Sequence, residues 1–113
     1  SPLARGLLAG ASAPPSQGRR AKEDLQQDFE KQRTKLDAYE ALCRQLGEQP
    51  ANVALAWLLH QKAVTAPIIG PRTLEQLDGS MRTLDMTLDT GTLKRLDQIF
   101  PGPGGPAPEA YAW

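Results

Sequence analysis

The residues best suited to chemistry surround one predicted turn and could bind a phosphate: Gly70, Arg72, Thr73 and Gln76. They lie in the segment from Pro67 to Leu84, which the sequence predicts as a short strand that turns into a helix. The first N–H groups of a helix lack partners and lie at the positive end of its dipole, so they attract anions. Arg72 adds a fork of donors suited to phosphate. An ordinary turn with a solvated arginine explains the same residues, and the turn alone leaves both interpretations open.

Three other side chains of catalytic type have simpler structural interpretations. Tyr39 follows Lys35 by four residues, but both fit an ordinary helix with one apolar and one charged face. Cys43 lies on the apolar stripe of the same helix, as a small core residue would. His60 has no carboxylate or second histidine at ligand spacing, which favours a surface or helix-capping role. We therefore predict no metal site and no catalytic residue in this chain.

The elements before the turn are predicted to be two helices. Apolar residues recur at helical spacing from Asp24 to Leu46, and Gly47 ends that helix. Pro50 opens a second helix at the position where its missing N–H costs nothing. This helix is apolar nearly all round from Val53 to Leu59, so it needs burial on several sides.

The turn itself is predicted to join a buried strand to a capped helix. Residues 66–70 are short, branched and apolar, which is typical of a strand. Thr73 and Gln76 form a capping box at the start of the next helix. The inward face of that helix is predicted to comprise Leu77, Met81 and Leu84.

A last helix follows, with Asp89 as its N-cap and Leu88 and Leu93 as a hydrophobic staple. Its apolar stripe is predicted to be Leu93, Leu96, Ile99 and Phe100. Irregular segments flank these elements: a loop over residues 1–22 and a tail over residues 101–113, with Tyr111 and Trp113 as its anchors. We interpret the basic residues of the loop as solvated: Arg19, Arg20 and Lys22.

Composition limits the class of protein. The 113 residues allow one modest domain at most, and thirteen basic residues balance thirteen acidic ones. We therefore expect no nucleic-acid partner and no membrane surface. A single cysteine, Cys43, excludes an internal disulfide and favours a reducing compartment, so we predict a cytoplasmic location. The chain begins at Ser1 without a methionine, which suggests a cut inside a larger protein.

These elements do not close a fold. A lone strand cannot satisfy its own backbone groups, and the apolar helix finds too little partner surface in this chain. Alternation of helix and strand is typical of an α/β protein, whose parallel strands need further βα units as neighbours.

Three blocks of sequence carry a resemblance to a known family. The chain opens with SPLARGLL at residues 1–8, continues with VALAWLL at 53–59, and has IGPRTLEQL at 69–77. In their order, spacing and amino-acid identities, these blocks resemble the aldo-keto reductases over nearly the whole chain. The resemblance implies an α/β fold, the (β/α)₈ TIM barrel. Residues 1–113 would be the C-terminal portion of a single barrel domain, from the end of strand seven through strand eight to the tail.

The resemblance also implies a binding site for NADP(H). The first block would touch the nicotinamide side and the pyrophosphate through Ser1, Pro2, Leu3, Ala4, Arg5 and Gly6. The third block would bind the adenosine 2'-phosphate and adenine through Gly70, Arg72, Thr73 and Gln76, with the charged fork favouring NADPH over NADH. We add Ser80 to these cofactor-binding candidates. The chain departs from the family at Gly79 and Ser80, where many members have an acidic residue and then asparagine, which puts the adenine contact in doubt.

The family's reaction implies partners for this chain. It is a hydride transfer from nicotinamide to a carbonyl, with a tyrosine as general acid assisted by lysine, aspartate and histidine from the earlier half of the barrel. None of those motifs is in this sequence. We therefore expect the remaining N-terminal part of the barrel and a small carbonyl substrate as partners. The alternative is a non-enzymatic, truncated helical module that exposes its face from Val53 to Leu59 to another protein.

Overall fold

The computed structural model describes residues 2–10 and 23–102, and within these residues it is mostly helical. The α-helices are α1 (Glu23–Leu46), α2 (Pro50–Leu59), α3 (Leu74–Arg82) and α4 (Thr90–Ile99). Two short 3-10 segments, Ala4–Ala9 and Thr83–Asp85, precede α1 and follow α3. No strand is assigned in this part of the chain, and none of its helices has the length and hydropathy to cross a membrane.

The ends of the helices confirm the local sequence signals. Gly47 follows α1 with a φ of 68°, a left-handed conformation that glycine adopts without steric cost. Pro50 occupies the first position of α2. Asp89 caps α4, its Oδ1 accepting the N–H of Thr92 at 2.7 Å. This hydrogen bond holds the pKa of Asp89 below its ordinary value.

The core lies where α1, α2 and α4 meet. Its buried residues are Tyr39, Leu42, Cys43, Val53, Ala54, Ala56, Leu88 and Leu96. The ring of Tyr39 meets that of Phe100 edge to face, with centroids 5.9 Å apart. The Tyr39 hydroxyl donates to the carbonyl of Pro50. This one side chain therefore ties α1 both to the start of α2 and to the end of α4.

The strand predicted at residues 66–70 is not formed. These residues have no regular secondary structure, and Ile68 is 89% exposed. A strand persists only where a neighbour pairs with its backbone N–H and C=O groups, and the described residues provide no such neighbour. The apolar sequence of the segment is typical of a strand. The strand is missing because no described residue pairs with its backbone.

The predicted inward face of α3 is exposed. Leu77, Met81 and Leu84 are 36%, 53% and 63% exposed. The opposite side of the helix makes the contact with α2, because a Cβ built on Gly79 would lie 3.4 Å from Oδ1 of Asn52. The prediction of an apolar face was sound, but the surface that would cover it is not among the described residues.

The face of α2 from Val53 to Leu59, predicted as a docking surface in the alternative interpretation, is mostly buried. Residues 52–56 are buried inside the chain's own core, with Val53 and Ala56 fully inaccessible. An apolar helix needed cover on several sides, and α1, α3 and the two 3-10 segments provide it. Of the face predicted for the interaction module, only residues 57–59 are half-buried and the rest is buried.

Candidate functional site

The start of α3 is held in shape by two hydrogen bonds. Thr73, the N-cap, accepts the N–H of Gln76 on its Oγ1 at 3.2 Å, as predicted. The side chain of Gln76 returns one residue further than a capping box requires, because its Oε1 accepts the N–H of Arg72 at 2.8 Å. The turn from Arg72 to Gln76 is therefore closed by its own side chains.

This closure determines which groups of the turn are available to a ligand. The N–H of Gln76 is capped, but those of Leu74 and Glu75 lie at the first two helical positions, where α3 offers no acceptor. Because Oε1 of Gln76 is engaged with the backbone, its amide NH₂ is the group left for recognition. Both kinds of donor suit an acceptor-rich ligand such as a phosphate.

Arg72 adds a charge to this group of donors. Its side chain is exposed and forms no ion pair with any residue that the structure describes. In contrast, Arg5, Arg33 and Arg82 each pair with a carboxylate. Thr73 and Gly70 are exposed beside Arg72. The predicted residues Gly70, Arg72, Thr73 and Gln76 therefore lie together on one accessible turn.

Ser80 lies one turn further along α3, and its hydroxyl already has a partner. Its Oγ donates to the carbonyl of Gln76 at 2.8 Å, a bond within the helix itself. Gly79 beside it faces Asn52 of α2. The two residues that depart from the family pattern thus make contacts within the chain: Ser80 with the backbone of its own helix, and Gly79 with α2.

The N-terminal block forms a tight turn where the sequence predicted a loop. Ala4, Arg5 and Gly6 have φ values of 47°, 58° and 106°. The first two lack glycine's freedom, and the left-handed region costs each of them about 1–2 kcal/mol. The N–H of Gly6 donates to the carbonyl of Leu3 at 2.8 Å, and Leu3 and Leu8 pack against the core. Pro2 precedes this turn half-buried.

Two contacts fasten the N-terminal block to the helices. Nη2 of Arg5 lies 2.7 Å from Oδ2 of Asp28 on α1. At its other end, Gly10 lies against the ring of Pro50 so closely that a Cβ would come within 3.1 Å of Pro50 Cγ. Asp28 was not singled out from the sequence, because a partner 23 residues away leaves no local pattern.

Helix α2 supports both predicted blocks. The 3-10 segment Ala4–Ala9 packs against α1 and α2, and α3 packs against the same α2. A second link fixes α3, since Arg82 donates to both carboxylate oxygens of Glu48 at 2.8 and 3.2 Å. This pairing lowers the pKa of Glu48. The two blocks are therefore carried by one continuous helical framework.

The remaining side chains of catalytic type serve the fold, as predicted. Burial raises the pKa of Tyr39, and burial raises that of Cys43 to about 11, so both stay protonated at neutral pH. His60 follows α2 and accepts the N–H of Leu88 on Nε2, so its Nδ1 carries the proton donated to the carbonyl of Ala56 at 2.8 Å. No cluster of metal-ligating side chains occurs within residues 2–10 and 23–102.

Some predicted residues lie outside the described part of the chain. They are Ser1 of the first block, the basic residues Arg19, Arg20 and Lys22, and the aromatic residues Tyr111 and Trp113 of the tail.

Comparison with known proteins identifies the family to which these blocks are similar. A sequence model of the Aldo/keto reductase family matches residues 1–100. An uncharacterized oxidoreductase of Bacillus subtilis (strain 168), YrpG, is 50% identical over 115 aligned residues, which cover 100% of this chain and 34% of that protein. The chain thus spans about a third of the length of this relative.

Two further relatives are more distant. The probable aldo-keto reductase 1 of Glycine max is 27% identical over 106 residues, covering 89% of this chain and 31% of that protein. The L-glyceraldehyde 3-phosphate reductase of Escherichia coli (strain K12) is 36% identical over 58 residues, covering 50% of this chain and 17% of that protein.

Proposed function

The chain belongs to the Aldo/keto reductase family, and from this premise we propose that it is the cofactor-binding part of an NADPH-dependent reductase of aldehydes or ketones. Membership of the family implies a TIM barrel, and a mostly helical chain is consistent with part of such a domain. We assign residues 1–113 to the C-terminal portion of that barrel and expect the enzyme in the cytoplasm.

The turn at the start of α3 is the observation that carries this proposal. It combines an exposed guanidinium without an ion pair among the described residues, a threonine hydroxyl and the N–H groups of a helix N-terminus. Arg72 forms the fork that suits the 2'-phosphate, the group that distinguishes NADPH from NADH. Thr73 and the amide NH₂ of Gln76 supply further donors to the same anion or to the adenine beside it.

The N-terminal block supplies the second half of the cofactor site. We assign the nicotinamide side and the pyrophosphate to Ser1, Pro2, Leu3, Ala4, Arg5 and Gly6. Ala4 carries only a methyl group and Gly6 has no side chain, which lets the cofactor approach the backbone of the turn. NADPH supplies the hydride when it is bound, and the residues of this chain bind and orient it.

The general acid of the reaction comes from another part of the protein. Tyr39 and Cys43 are buried, the Tyr39 hydroxyl already donates to the carbonyl of Pro50, and both ring nitrogens of His60 are hydrogen-bonded to the backbone. None of these groups is therefore placed to donate a proton to a carbonyl substrate. We therefore assign proton donation to the remaining N-terminal part of the barrel, which also contributes to the pocket for a small carbonyl compound.

Exposed apolar side chains on and around α3 support the proposal that another part of the protein packs against this chain. They are Ile68, Ile69, Leu74, Leu77, Met81 and Leu84. Exposed large apolar side chains concentrated in one segment are typical of an interface. Because the chain spans a third of its relative's length, we propose that the remaining N-terminal part of the barrel covers these side chains and pairs with residues 66–70 as a strand.

Titration of the complete protein with NADPH and NADH tests the function. We expect NADPH to bind more tightly and Arg72→Ala to remove most of that preference. A hydrogen bond to a charged group contributes about 1.5–3 kcal/mol, which corresponds to about a 10- to 150-fold change in affinity. Arg44→Ala is the matched control, because Arg44 is also an exposed arginine, at the far end of α1. Equal loss of preference in both variants would refute the role of Arg72.

A further inference from the structure

The turn from Ala4 to Gly6 needs support from outside itself. Three consecutive residues have positive φ, and two of them are not glycine. A backbone in this region relaxes unless its surroundings hold it. The hydrogen bond from Gly6 to Leu3 closes the turn locally, but it does not fix the turn relative to the helices.

Asp28 provides a link between this turn and the helical framework. Its carboxylate accepts Nη2 of Arg5 at 2.7 Å, and the side chains of Arg5 and Asp28 are 57% and 36% exposed. Asp28 belongs to α1, whose later residues Tyr39, Leu42 and Cys43 lie in the core. The pair therefore joins a strained turn to a helix that the core holds in place.

We propose that Asp28 is a positioning residue for the cofactor: by holding the guanidinium of Arg5 against α1, it keeps the turn from Ala4 to Gly6 in the shape that meets the dinucleotide. This inference rests on the proposed function. Asp28 does not itself touch the cofactor, because a carboxylate beside a pyrophosphate would repel it. It acts through Arg5.

The same helix offers a matched control. Glu30 pairs with Arg33 at 2.8 Å, and both side chains are similarly exposed, at 65% and 57%. This pair lies three residues apart on α1 and makes no link to the N-terminal block. Glu30→Gln therefore removes a surface ion pair from the same helix without releasing Arg5.

The test measures affinity for two ligands in the complete protein. NADPH spans both halves of the proposed site, whereas adenosine 2'-monophosphate lacks both the pyrophosphate and the nicotinamide half. We expect Asp28→Asn to weaken NADPH binding about two- to fivefold, the range of an exposed ion pair, at low ionic strength. The monophosphate should bind unchanged. Glu30→Gln should alter neither affinity, and Asp28→Glu should restore most of the NADPH affinity.

Two further comparisons separate positioning from simple loss of structure. The effect of Asp28→Asn should shrink at 1 M salt, where the Debye length is about 3 Å. It should also vanish in an Arg5→Gln background, because Asp28 acts through that arginine. Equal weakening of both ligands, or an additive double mutant, would overturn the inference, as would an unchanged or tighter NADPH complex. If the unmutated protein bound no NADPH, the proposed function itself would fail.

Discussion

Gln76 has two roles that a single substitution can separate. Its Oε1 accepts the N–H of Arg72 and closes the turn, while its amide NH₂ is left for a ligand. Gln76→Glu keeps an acceptor for that N–H and replaces the donor with an anionic oxygen. A carboxylate in the first turn of a helix also suits the helix dipole, by about 0.3–1 kcal/mol. The variant should therefore fold at least as stably as the unmutated protein.

Binding of NADPH should nevertheless weaken. A hydrogen bond from a protein group to a charged ligand contributes about 1.5–3 kcal/mol. The turn is exposed, which places the loss in the lower half of that range and predicts an affinity about 10- to 50-fold lower. NADH lacks the 2'-phosphate, so its affinity should change much less. The ratio of the two dissociation constants is the quantity that reports the role of Gln76.

Fluorescence titration of the complete protein with both cofactors, together with thermal melts, provides the assay. Gln76→Ala is the comparison, because it removes both the turn-closing acceptor and the donor, and should lower stability as well as affinity. Glu75→Gln, in the same turn, is the control for charge and should leave NADPH affinity unchanged or slightly raised. If Gln76→Glu remains folded and binds NADPH as tightly as the unmutated protein, Gln76 does not donate to the cofactor.

Two predictions concern the core. Tyr39→Phe should lower the free energy of unfolding by about 0.5–1.5 kcal/mol, because it removes the donor to Pro50 but keeps the ring against Phe100; an unchanged urea midpoint would contradict this. Cys43 has a folded pKa of about 11 against an ordinary value of 9.0, so the unfolded chain loses this proton first as pH rises. The contribution of this pKa shift to the free energy of unfolding should be complete below pH 9 and should decline toward pH 11. A plot of the free energy of unfolding against pH should therefore fall less steeply in Cys43→Ala than in the unmutated protein, and equal slopes would exclude the effect.

Signals contained within a few residues were predicted correctly from the sequence. Gly47 ends α1, Pro50 begins α2, and Asp89 and Thr73 cap the two later helices. Each of these depends on the conformation or hydrogen bonds of the residue itself and its next turn, so a single sequence is sufficient. The candidate phosphate turn could also be predicted from the sequence, because Arg72, Thr73 and Gln76 are close in sequence and lie together at the start of one helix.

Features that depend on distant partners could not be predicted in the same way. The segment 66–70 has the composition of a strand but no pairing neighbour within the described residues. The apolar side of α3 is predicted correctly, yet no described residue covers it, because its burial depends on surfaces distant in sequence. Asp28 was missed because its contact with Arg5 joins two separate segments of the chain.

Binding of the 2'-phosphate of NADPH by this chain is tested most simply by titrating the complete, unmutated protein with NADPH and with NADH under the same salt conditions. We expect a dissociation constant for NADPH about 10- to 150-fold below that for NADH, because a hydrogen bond to a charged group contributes about 1.5–3 kcal/mol. Equal dissociation constants for the two cofactors would contradict this expectation.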